Sequence, residues 1–400
     1  MQHTFVQPYR TCKLFGALRV VLGIQDAIAL IHSPRGCVYN LRYLLGVRGA
    51  KTNRILTTEM DEKDVIFGGE VRLKRAIMEV DRKYKPNLIA ILTSCASSII
   101  GEDIELVVRD VDVNAKLLPI YSGGFEGDQI DGYKEALKKV VDLIVEGADK
   151  DSSLNLLAVY RYGWDLEEVK RLISLVGVRV NATLTAKTTL KEIEGASKAS
   201  LNVIMCEASG FDAARIMEKR FGIPYLHPLL PVGIRATESF ITTISESVGK
   251  KVSNMPLKEK KVAEMEIEKI KSATRGKKVC IISGASRIAP LTLFVTELEM
   301  EPVIISIDRV GETTTDDLNS IIKQNNLNPK ILIEPEFDDV FDSIAEEKPD
   351  LIVGGLYEEV LSKSFGIPLC DVMHGEKKTM GFRGAITLAM RIKEAILSGK

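Results

Sequence analysis

Three cysteines stand where an apolar run gives way to a turn that opens a helix. Cys12 precedes KLFGALRVVLG, Cys37 ends HSPRGC, and Cys95 follows the apolar run NLIAILTS. Thiolates that turns carry to one edge of a sheet can converge on iron while the scaffold stays rigid. The arrangement therefore predicts part of a metal-cluster site. Three separate buried structural cysteines are the alternative interpretation.

The composition is that of an ordinary globular protein. The chain has 400 residues, of which 45% are hydrophobic and 27% charged. Its 54 basic and 55 acidic side chains nearly cancel, which removes the electrostatic footprint of a nucleic-acid or anionic-membrane binder. No run approaches the roughly 20 apolar residues of a membrane span, and the amino terminus lacks a secretory signal. We expect a cytoplasmic protein whose six cysteines serve metal, catalysis or packing rather than disulfides.

Strand-like and helical runs alternate along the whole chain, which is typical of parallel sheets covered by helices. The linker GADKDSSLN and the charged helical stretch MPLKEKKVAEMEIEKIKSATRGKK divide these runs into three blocks. The predicted fold class is α/β, with three doubly wound Rossmann-like domains whose parallel sheets surround a central cleft. The predicted domains are 1–150, 151–272 and 273–400, the last ending in a helix. Sites in such folds gather at the carboxyl ends of the strands.

Two short segments of the chain repeat each other. FGIPYLHP and FGIPLCDV each place a Gly-Ile-Pro turn before a strand, as duplicated domains or ordinary helix-to-strand turns would.

Two nucleotide-binding signatures are missing from the sequence. No G-x-x-x-x-G-K-[ST] loop occurs, and no G-x-G-x-x-G follows a strand. We therefore expect no ATP hydrolysis in this chain, and electrons for any redox chemistry should arrive from another protein.

The stretch DEKDVIFGGEVRLKRAIMEV, with the two earlier cysteines and TSCASSIIGEDI, resembles the component 1 proteins of nitrogenase and its relatives. The similarity continues through LNVIMCEASGFDAARIMEKRFGIPYLHP to GFRGAITLAMRIKEAI and covers nearly the whole chain. The resemblance implies that Cys12, Cys37 and Cys95 ligate a 4Fe-4S cluster at a subunit interface. A four-iron cluster binds four protein ligands, which is one more than these three cysteines supply. A partner subunit, a non-cysteine ligand or a shared cluster has to supply it.

The resemblance also places two residues at the cavity in which nitrogenase catalytic subunits hold a large metal cofactor. These are Cys206, at the end of LNVIMC, and His374, eight residues before Phe382. A small buried hydrophobe is an equal interpretation of Cys206. A neutral imidazole at His374 can coordinate a metal, donate a proton to substrate or do neither.

One further histidine and two further cysteines complete the candidates. His227, in IPYLHPLLPVG, follows a predicted strand and is a candidate for proton delivery or metal contact, with capping or packing as the alternative. Cys280 and Cys370 fall inside the apolar runs KKVCIIS and IPLCDV, so we expect both to be core residues.

Within the family, the plain 400-residue architecture is most similar to the D component of nickel-sirohydrochlorin a,c-diamide reductive cyclase. That enzyme serves coenzyme F430 biosynthesis in methanogenic archaea. The resemblance implies a homodimer that takes electrons from an ATP-dependent, NifH-like reductase homodimer and reduces a nickel tetrapyrrole bound between domains. A heterodimer with a paralogue would look the same from one sequence. The alternatives are a dark-operative protochlorophyllide reductase subunit, a cofactor-assembly scaffold and a metal-chelate binding module.

Overall fold

Three parallel sheets form the framework of the protein. The computed structural model describes residues 11–47, 52–147, 149–252, 255–355, 358–373 and 377–398. Every strand pairing within the sheets is parallel. The α/β class with three Rossmann-like sheets is therefore confirmed. Each of the three predicted domain ranges contains one sheet, and the limits of the domains stay a prediction.

The first sheet has the strand order β2-β1-β3-β4. Its strands are β1 (Ala27–His32), β2 (Ile55–Thr57), β3 (Leu88–Thr93) and β4 (Lys116–Ile120). Its helices are α1 (Lys13–Leu22), α2 (Arg35–Val47), α3 (Glu62–Phe67), α4 (Glu70–Tyr84), α5 (Cys95–Ile99), α6 (Ile104–Arg109) and α7 (Gln129–Val141). Strands β1 and β3 are buried along their whole length, because helices cover both faces of the sheet.

The second sheet has the order β6-β5-β7-β8. Its strands are β5 (Ser153–Leu157), β6 (Arg179–Leu184), β7 (Leu201–Ile204) and β8 (Tyr225–Leu226). Its helices are α8 (Trp164–Leu175), α9 (Leu190–Glu194), α10 (Glu207–Phe221) and α11 (Ile234–Ser247). The long helix α12 (Met255–Thr274) is the charged stretch of the sequence and leads to the third sheet.

The third sheet has the order β11-β10-β9-β12-β13. Its strands are β9 (Lys278–Ser283), β10 (Glu301–Ile307), β11 (Lys330–Ile333), β12 (Leu351–Gly354) and β13 (Leu369–Asp371). Its helices are α13 (Ala285–Glu297), α14 (Thr314–Gln324), α15 (Phe337–Glu347), α16 (Glu359–Phe365) and α17 (Gly381–Ser398). Helix α17 returns to pack on α12, α8 and α11, so the carboxyl-terminal helix ties the third sheet to the second.

The hydrophobic core is shared between neighbouring sheets. One cluster of buried side chains joins the first sheet to the second, and another joins the second to the third. Helices α1 and α7 approach each other through glycines. A Cβ added at Gly16 would lie 1.8 Å from the Gln129 carbonyl oxygen, and one added at Gly132 would lie 1.8 Å from that of Lys13. The helix that begins after Cys12 is therefore held firmly against the core.

The repeated Gly-Ile-Pro segments occupy matching places in two sheets. Helices α10 and α16 each end at a glycine in the left-handed region, Gly222 with φ of 63° and Gly366 with φ of 66°. The chain then enters β8 and β13, which are the edge strands of the second and third sheets. Glycine suits both positions because a side chain disfavours positive φ. No helix of the described residues is long and apolar enough to cross a membrane.

Candidate cluster site and cavity

The three turn cysteines lie at helix starts beside the first sheet. Cys37 is the third residue of α2, which follows β1, and Cys95 is the first residue of α5, which follows β3. Strands β1 and β3 are neighbours that pair in parallel, so their carboxyl ends deliver both turns to one edge. Cys12 precedes α1 and forms an antiparallel bridge with Asp128 near the start of α7.

Gly124 brings two of the three sulfurs together. A Cβ added at this glycine would lie 2.9 Å from Cys95 Sγ, 3.2 Å from Cys12 Cβ and 3.4 Å from Cys12 Sγ. The short 3₁₀ turn Gly124–Glu126 is fixed by an ion pair of 2.6 Å between Lys13 Nζ and Glu126 Oε2. The turn therefore holds a residue without a side chain where two thiols converge.

The third sulfur, that of Cys37, lies within electrostatic reach of the other two. Burial raises the pKa of the Cys37 thiol, and negative charge on Cys95 and Cys12 raises it further. Thiolates that affect one another in this way repel, and a bound iron cluster would offset the repulsion. Cys12 and Cys95 are exposed and Cys37 is half-buried, so the group opens to the surface. The alternative of three separate buried cysteines does not fit this geometry.

The cysteine triad suits a cluster better than a single ion. Within the described ranges, no three His, Cys, Asp or Glu side chains lie close enough to hold one metal ion. A guest that contacts all three sulfurs therefore has to be wider than one ion. Iron–sulfur clusters are bound in this way, by thiolates spread around several metal atoms. The donor set and its spacing fit such a cluster.

A buried ionic pair lies behind the cysteine turns. The Nε2 atom of His32 contacts the Glu102 carboxylate, and His32 Nδ1 lies 2.8 Å from Thr58 Oγ1. The second carboxylate oxygen of Glu102 accepts the backbone N–H of Gly69. His32 and Glu102 are 0% and 9% exposed, so each relies on these partners for its polar contacts.

The same histidine links two of the cysteine turns through its backbone. The His32 carbonyl accepts hydrogen bonds from Ser94 Oγ at 2.8 Å and Ser97 Oγ at 2.9 Å. These serines flank Cys95, and His32 is the last residue of β1, at the start of the turn that leads to Cys37. The two turns thus share one buried hydrogen-bond network, which fixes their relative position.

Filling the space at Gly124 is expected to disturb the triad. In Gly124→Ala the new methyl group displaces the Cys95 sulfur, and we expect iron per chain to fall several-fold while the free energy of unfolding changes by less than about 1 kcal/mol. Metal analysis and thermal unfolding measure the two effects. Gly195→Ala is the matched control, because nothing lies within 4 Å of its added Cβ. An unchanged iron content in Gly124→Ala would contradict the site's geometry.

A cavity of about 460 Å³ lies between the three sheets. It is lined by residues at the strand ends, which are 158–166 after β5, Met205, Cys206 and Ala208 after β7, 282–287 at the end of β9, and Ser306, Asp308 and Arg309 at the end of β10. Helix α1 adds Arg19. The lining combines apolar groups with five cationic side chains, which are Arg19, Arg161, Arg287, Arg309 and Lys377, and four acidic ones, which are Asp128, Asp165, Asp308 and Glu358. The cavity can therefore bind a guest that combines a large apolar surface with charged or polar groups at its edge.

Cys206 lines this cavity at the end of the second sheet's central strands. It is the residue before α10, its side chain makes no cap hydrogen bond, and it is half-buried. Tyr160 lies nearby, and its ring stacks on Tyr133 with centroids 4.0 Å apart. Burial raises the pKa of Tyr160 well above its ordinary value, with Cys206 as the next cause. The thiol is thus placed where it can touch a guest, and its role as a ligand stays a prediction.

His374 lies outside the described residues, but the chain on both sides of it is firmly anchored. Arg287 donates to the Val372 carbonyl at 3.0 Å and pairs with Asp165 at 3.0 Å. Asp165 in turn accepts the backbone N–H of Thr379 at 2.7 Å. Met373 and Lys377, the nearest described residues on either side, both line the cavity. The role predicted for His374 is therefore untested.

His227 lies elsewhere than the cavity lining. Its Nδ1 atom is 3.3 Å from Thr313 Oγ1, and its ring lies edge-on to Phe211 at 5.8 Å. Burial lowers the pKa of His227, although the charges of Glu207 and Asp317 oppose that effect. The ring belongs to a packing network between α10 and α14. Proton delivery to the cavity by His227 stays a prediction that this placement does not favour.

Cys280 and Cys370 are core residues, as the sequence predicts. They are 0% and 3% exposed in strands β9 and β13. Burial raises the pKa of both thiols, that of Cys370 to about 11. Neither thiol is suited to ionise and bind a metal.

The family model of nitrogenase component 1 type oxidoreductases matches residues 12–397. The chain belongs to this family. The nitrogenase iron-molybdenum cofactor biosynthesis protein NifE of Clostridium pasteurianum is 29% identical over 406 residues, which cover 97% of this chain and 88% of that protein. The nitrogenase molybdenum-iron protein alpha chain of Methanothermobacter thermautotrophicus is 29% identical over 422 residues, covering 97% and 88%.

A solved structure shares the fold. "Nitrogenase Cp1 at pH 6.5" superposes with a TM-score of 0.90 at 21% identity, covering 100% of this chain and 94% of that one. The scaffold is that of nitrogenase-type oxidoreductases, a family whose members bind iron–sulfur clusters and work as multimers with a NifH-like reductase. Assembly proteins and nitrogenase subunits both occur among the relatives. The resemblance to the F430 branch stays a prediction.

Proposed function

We propose that this chain is the substrate-binding component of a nitrogenase-like reductase that acts on a tetrapyrrole. The first candidate is nickel-sirohydrochlorin a,c-diamide, which would be reduced and cyclised in coenzyme F430 biosynthesis. The observation that carries the proposal is that one helix connects the cysteine triad to the cavity. Cys12 precedes α1, and Arg19 of α1 lines the cavity. Seven residues of helix span about 10 Å, so the two sites are close enough to work together.

Cys12, Cys37 and Cys95 would hold a 4Fe-4S cluster, which supplies single electrons at low potential. The exposed apolar groups around the triad support a homodimer that covers it. Tyr39 and Tyr43 are 76% and 62% exposed on one face of α2. A twofold axis at this surface would pair it with its own copy and bring two triads together. A fourth ligand from the second subunit would complete each cluster.

Two further apolar side chains extend this surface. Ile99 is 71% exposed and lies one helical turn from Cys95 on α5, and Phe125 is 61% exposed in the turn that holds Gly124. Exposed apolar groups that surround a group of thiols favour a protein contact there over open solvent.

Helix α3 supports a docking site for an ATP-dependent, NifH-like reductase. Asp61 caps the helix through the N–H groups of Lys63 and Asp64, so this short element is rigid. It presents Ile66 and Phe67 to solvent with 71% and 83% of their surface exposed. The next turn leads through Gly69 to the buried pair behind the cysteines. The apolar tip is therefore coupled to the cluster site, where a partner has to deliver electrons.

Removing the tip is expected to weaken docking. Because aromatic residues at the centre of interfaces contribute more than about 1 kcal/mol, Phe67→Ala should lower the rate of electron delivery at a limiting reductase concentration by about fivefold or more. Stopped-flow reduction of the protein by the reductase and ATP measures this rate. Leu257→Ala, which removes a side chain 57% exposed on α12, is the control and should change nothing. Equal rates in the two variants would place the docking site elsewhere.

The cavity suits a wide, carboxylate-rich ring. Arginine binds carboxylates in two-pronged hydrogen bonds, and the arginines of the lining come from different elements. Aromatic and aliphatic groups, including Trp164 and Phe337, supply the apolar surface on which a flat ring can rest. A tetrapyrrole with acidic side chains combines both properties.

Absorption spectroscopy with two pigments tests the substrate. The reduced protein, its reductase and ATP are incubated anaerobically with nickel-sirohydrochlorin a,c-diamide or with protochlorophyllide. The proposal requires a change in the absorption of the nickel pigment only. A change in protochlorophyllide alone would assign the chain to the dark-operative reductases.

Cys206 favours a second candidate, a scaffold on which a metal cofactor is assembled. A free thiol at the cavity wall can anchor a metal cluster, and the NifE relatives are named as cofactor biosynthesis proteins. In that case the purified protein would carry and release a large metal cluster, Cys206→Ala would lose it, and no tetrapyrrole would turn over. A metal-chelate binding module, by contrast, predicts no iron after anaerobic purification.

A further inference from the structure

One wall of the cavity carries a buried carboxyl group. Glu358 is 7% exposed, precedes α16 and lines the cavity at the carboxyl edge of the third sheet. Asp308 and Ser306 line the same edge. Ser306 is 1% exposed, and its Oγ atom has no hydrogen-bond partner among the described residues. A buried hydroxyl without a partner on a cavity wall indicates that the cavity receives a polar group there.

The surroundings of Glu358 favour its neutral form. The backbone N–H of Gly355 donates to one carboxyl oxygen. Among the described residues, the other titratable groups that act on it are Asp308 after β10, Asp371 in β13 and Cys280 in β9, and all three are acids. Lys377 lies 3.5 Å from Asp371 and partly offsets that charge. Burial first, and then the charge of Asp308, raises the pKa of Glu358 to about 7.

The neighbouring lining favours an internal acid. Phe337, Val340 and Leu361 belong to the same part of the cavity wall and are apolar. A flat guest resting on these groups would exclude water from one face. A proton needed on that face then has to come from a side chain.

We propose that Glu358 delivers protons to the molecule bound in the cavity as that molecule is reduced. The inference rests on the proposed reductive function. For each electron that the reductase passes to the guest, the O–H bond of the Glu358 carboxyl breaks and a C–H bond forms on the reduced ring carbon. Glu358 is left as a carboxylate and takes its next proton from water on its own side, where 7% of its surface is exposed. Two electrons and two protons saturate one ring double bond.

The test combines two variants with two measurements. Glu358→Gln keeps an acceptor for the Gly355 N–H but cannot donate an acidic proton. Glu359→Gln is the control, because the Glu359 side chain is 47% exposed and pairs with Lys363 on the same helix at 3.0 Å. The first measurement is infrared difference titration of the full chain without guest. The second is the pH profile of tetrapyrrole reduction by the complete complex.

We expect a protonated carboxyl band in the wild-type protein that disappears as the pH rises through about 7 and is missing in Glu358→Gln. Because the acid form is the donor, wild-type activity is present below that pH and declines above it. Loss of a general acid costs about 10²- to 10⁴-fold, so Glu358→Gln should be slow at every pH while its cluster still accepts electrons. Glu359→Gln should match the wild type in both measurements.

Two results would overturn the donor role. One is the lack of any carboxyl band that depends on Glu358, and the other is a wild-type rate and pH profile in Glu358→Gln. A third result separates the inference from the function on which it rests. If the band is present but no tetrapyrrole is reduced by the wild-type complex, the reductive function is wrong. The donor role then falls with its acceptor, although the protonated carboxyl remains.

Discussion

Replacing Cys95 by alanine is expected to abolish iron binding and leave the fold intact. The variant reduces the triad to two sulfurs. Removing an outer-shell partner lowers metal affinity roughly 10- to 100-fold, and the loss of a direct ligand should lower it further. Because Cys95 is exposed at the start of a helix, alanine leaves no cavity and the free energy of unfolding should change by no more than about 0.5 kcal/mol. Iron and sulfide analysis of anaerobic protein, with low-temperature paramagnetic spectra, measures the first effect.

Cys280→Ala gives the opposite pattern and serves as the control. This thiol is fully buried in β9, so its truncation should lower stability by about 1 kcal/mol while iron per folded chain stays unchanged. Iron loss without destabilisation would identify a ligand, and destabilisation without iron loss would identify a core cysteine. Full iron content in Cys95→Ala would show that the ligand assignment is wrong.

Truncating Glu102 is expected to cost the most stability of any change considered. In Glu102→Ala the buried His32 ring and the Gly69 N–H both lose their partner, and breaking a buried pair in this way costs roughly 3–5 kcal/mol. Chemical denaturation of the apoprotein measures the loss. The turns that carry Cys37 and Cys95 are fixed through His32, so they should also become more mobile. The protein should then retain less iron on dilution.

Glu105→Ala is the matched control for this prediction. Glu105 lies three residues after Glu102, in α6. It forms exposed ion pairs with Lys139 at 3.1 Å and Arg109 at 4.0 Å. Exposed pairs contribute about 0–1 kcal/mol, so this variant should unfold almost like the wild type. If the two glutamate variants were equally stable, the buried network would not support the cluster site.

The strands and the sorting of the cysteines could be predicted from the sequence because both depend on local pattern. Runs such as AIALIH and LIAILT are continuously apolar, which is typical of strands covered on both faces, and the structure confirms them as β1 and β3. Cys280 and Cys370 sit inside such runs and are buried, whereas the turn cysteines are not.

The partners of the site could not be predicted, because they are far apart in the sequence. Glu102 follows His32 by 70 residues, and Asp165 anchors Thr379 across 214 residues. Nothing in the local pattern of these acids separates them from solvated ones. Only the packing of the sheets reveals that Glu102 is buried against a histidine. The one local signal for Glu102 is its place in TSCASSIIGEDI, close to the candidate ligand Cys95.

The placement of His227 shows the reverse problem. Its position after a strand suggested the cleft, because strand ends in this fold gather there. The ring contacts Thr313 and Phe211, and His227 does not belong to the cavity lining, so its role in proton delivery stays a prediction. A strand end fixes the edge of the sheet at which a residue lies, but not the direction of its side chain. Glu358, which no motif marks, reaches the cavity wall.

Anomalous diffraction at the iron edge, from crystals of the anaerobically purified protein, tests the central claim most directly. The account predicts iron bonded to the sulfurs of Cys12, Cys37 and Cys95, at a contact between two copies of the chain. Crystals in which these three sulfurs contact no iron, or in which iron lies at a different place in the fold, would contradict it.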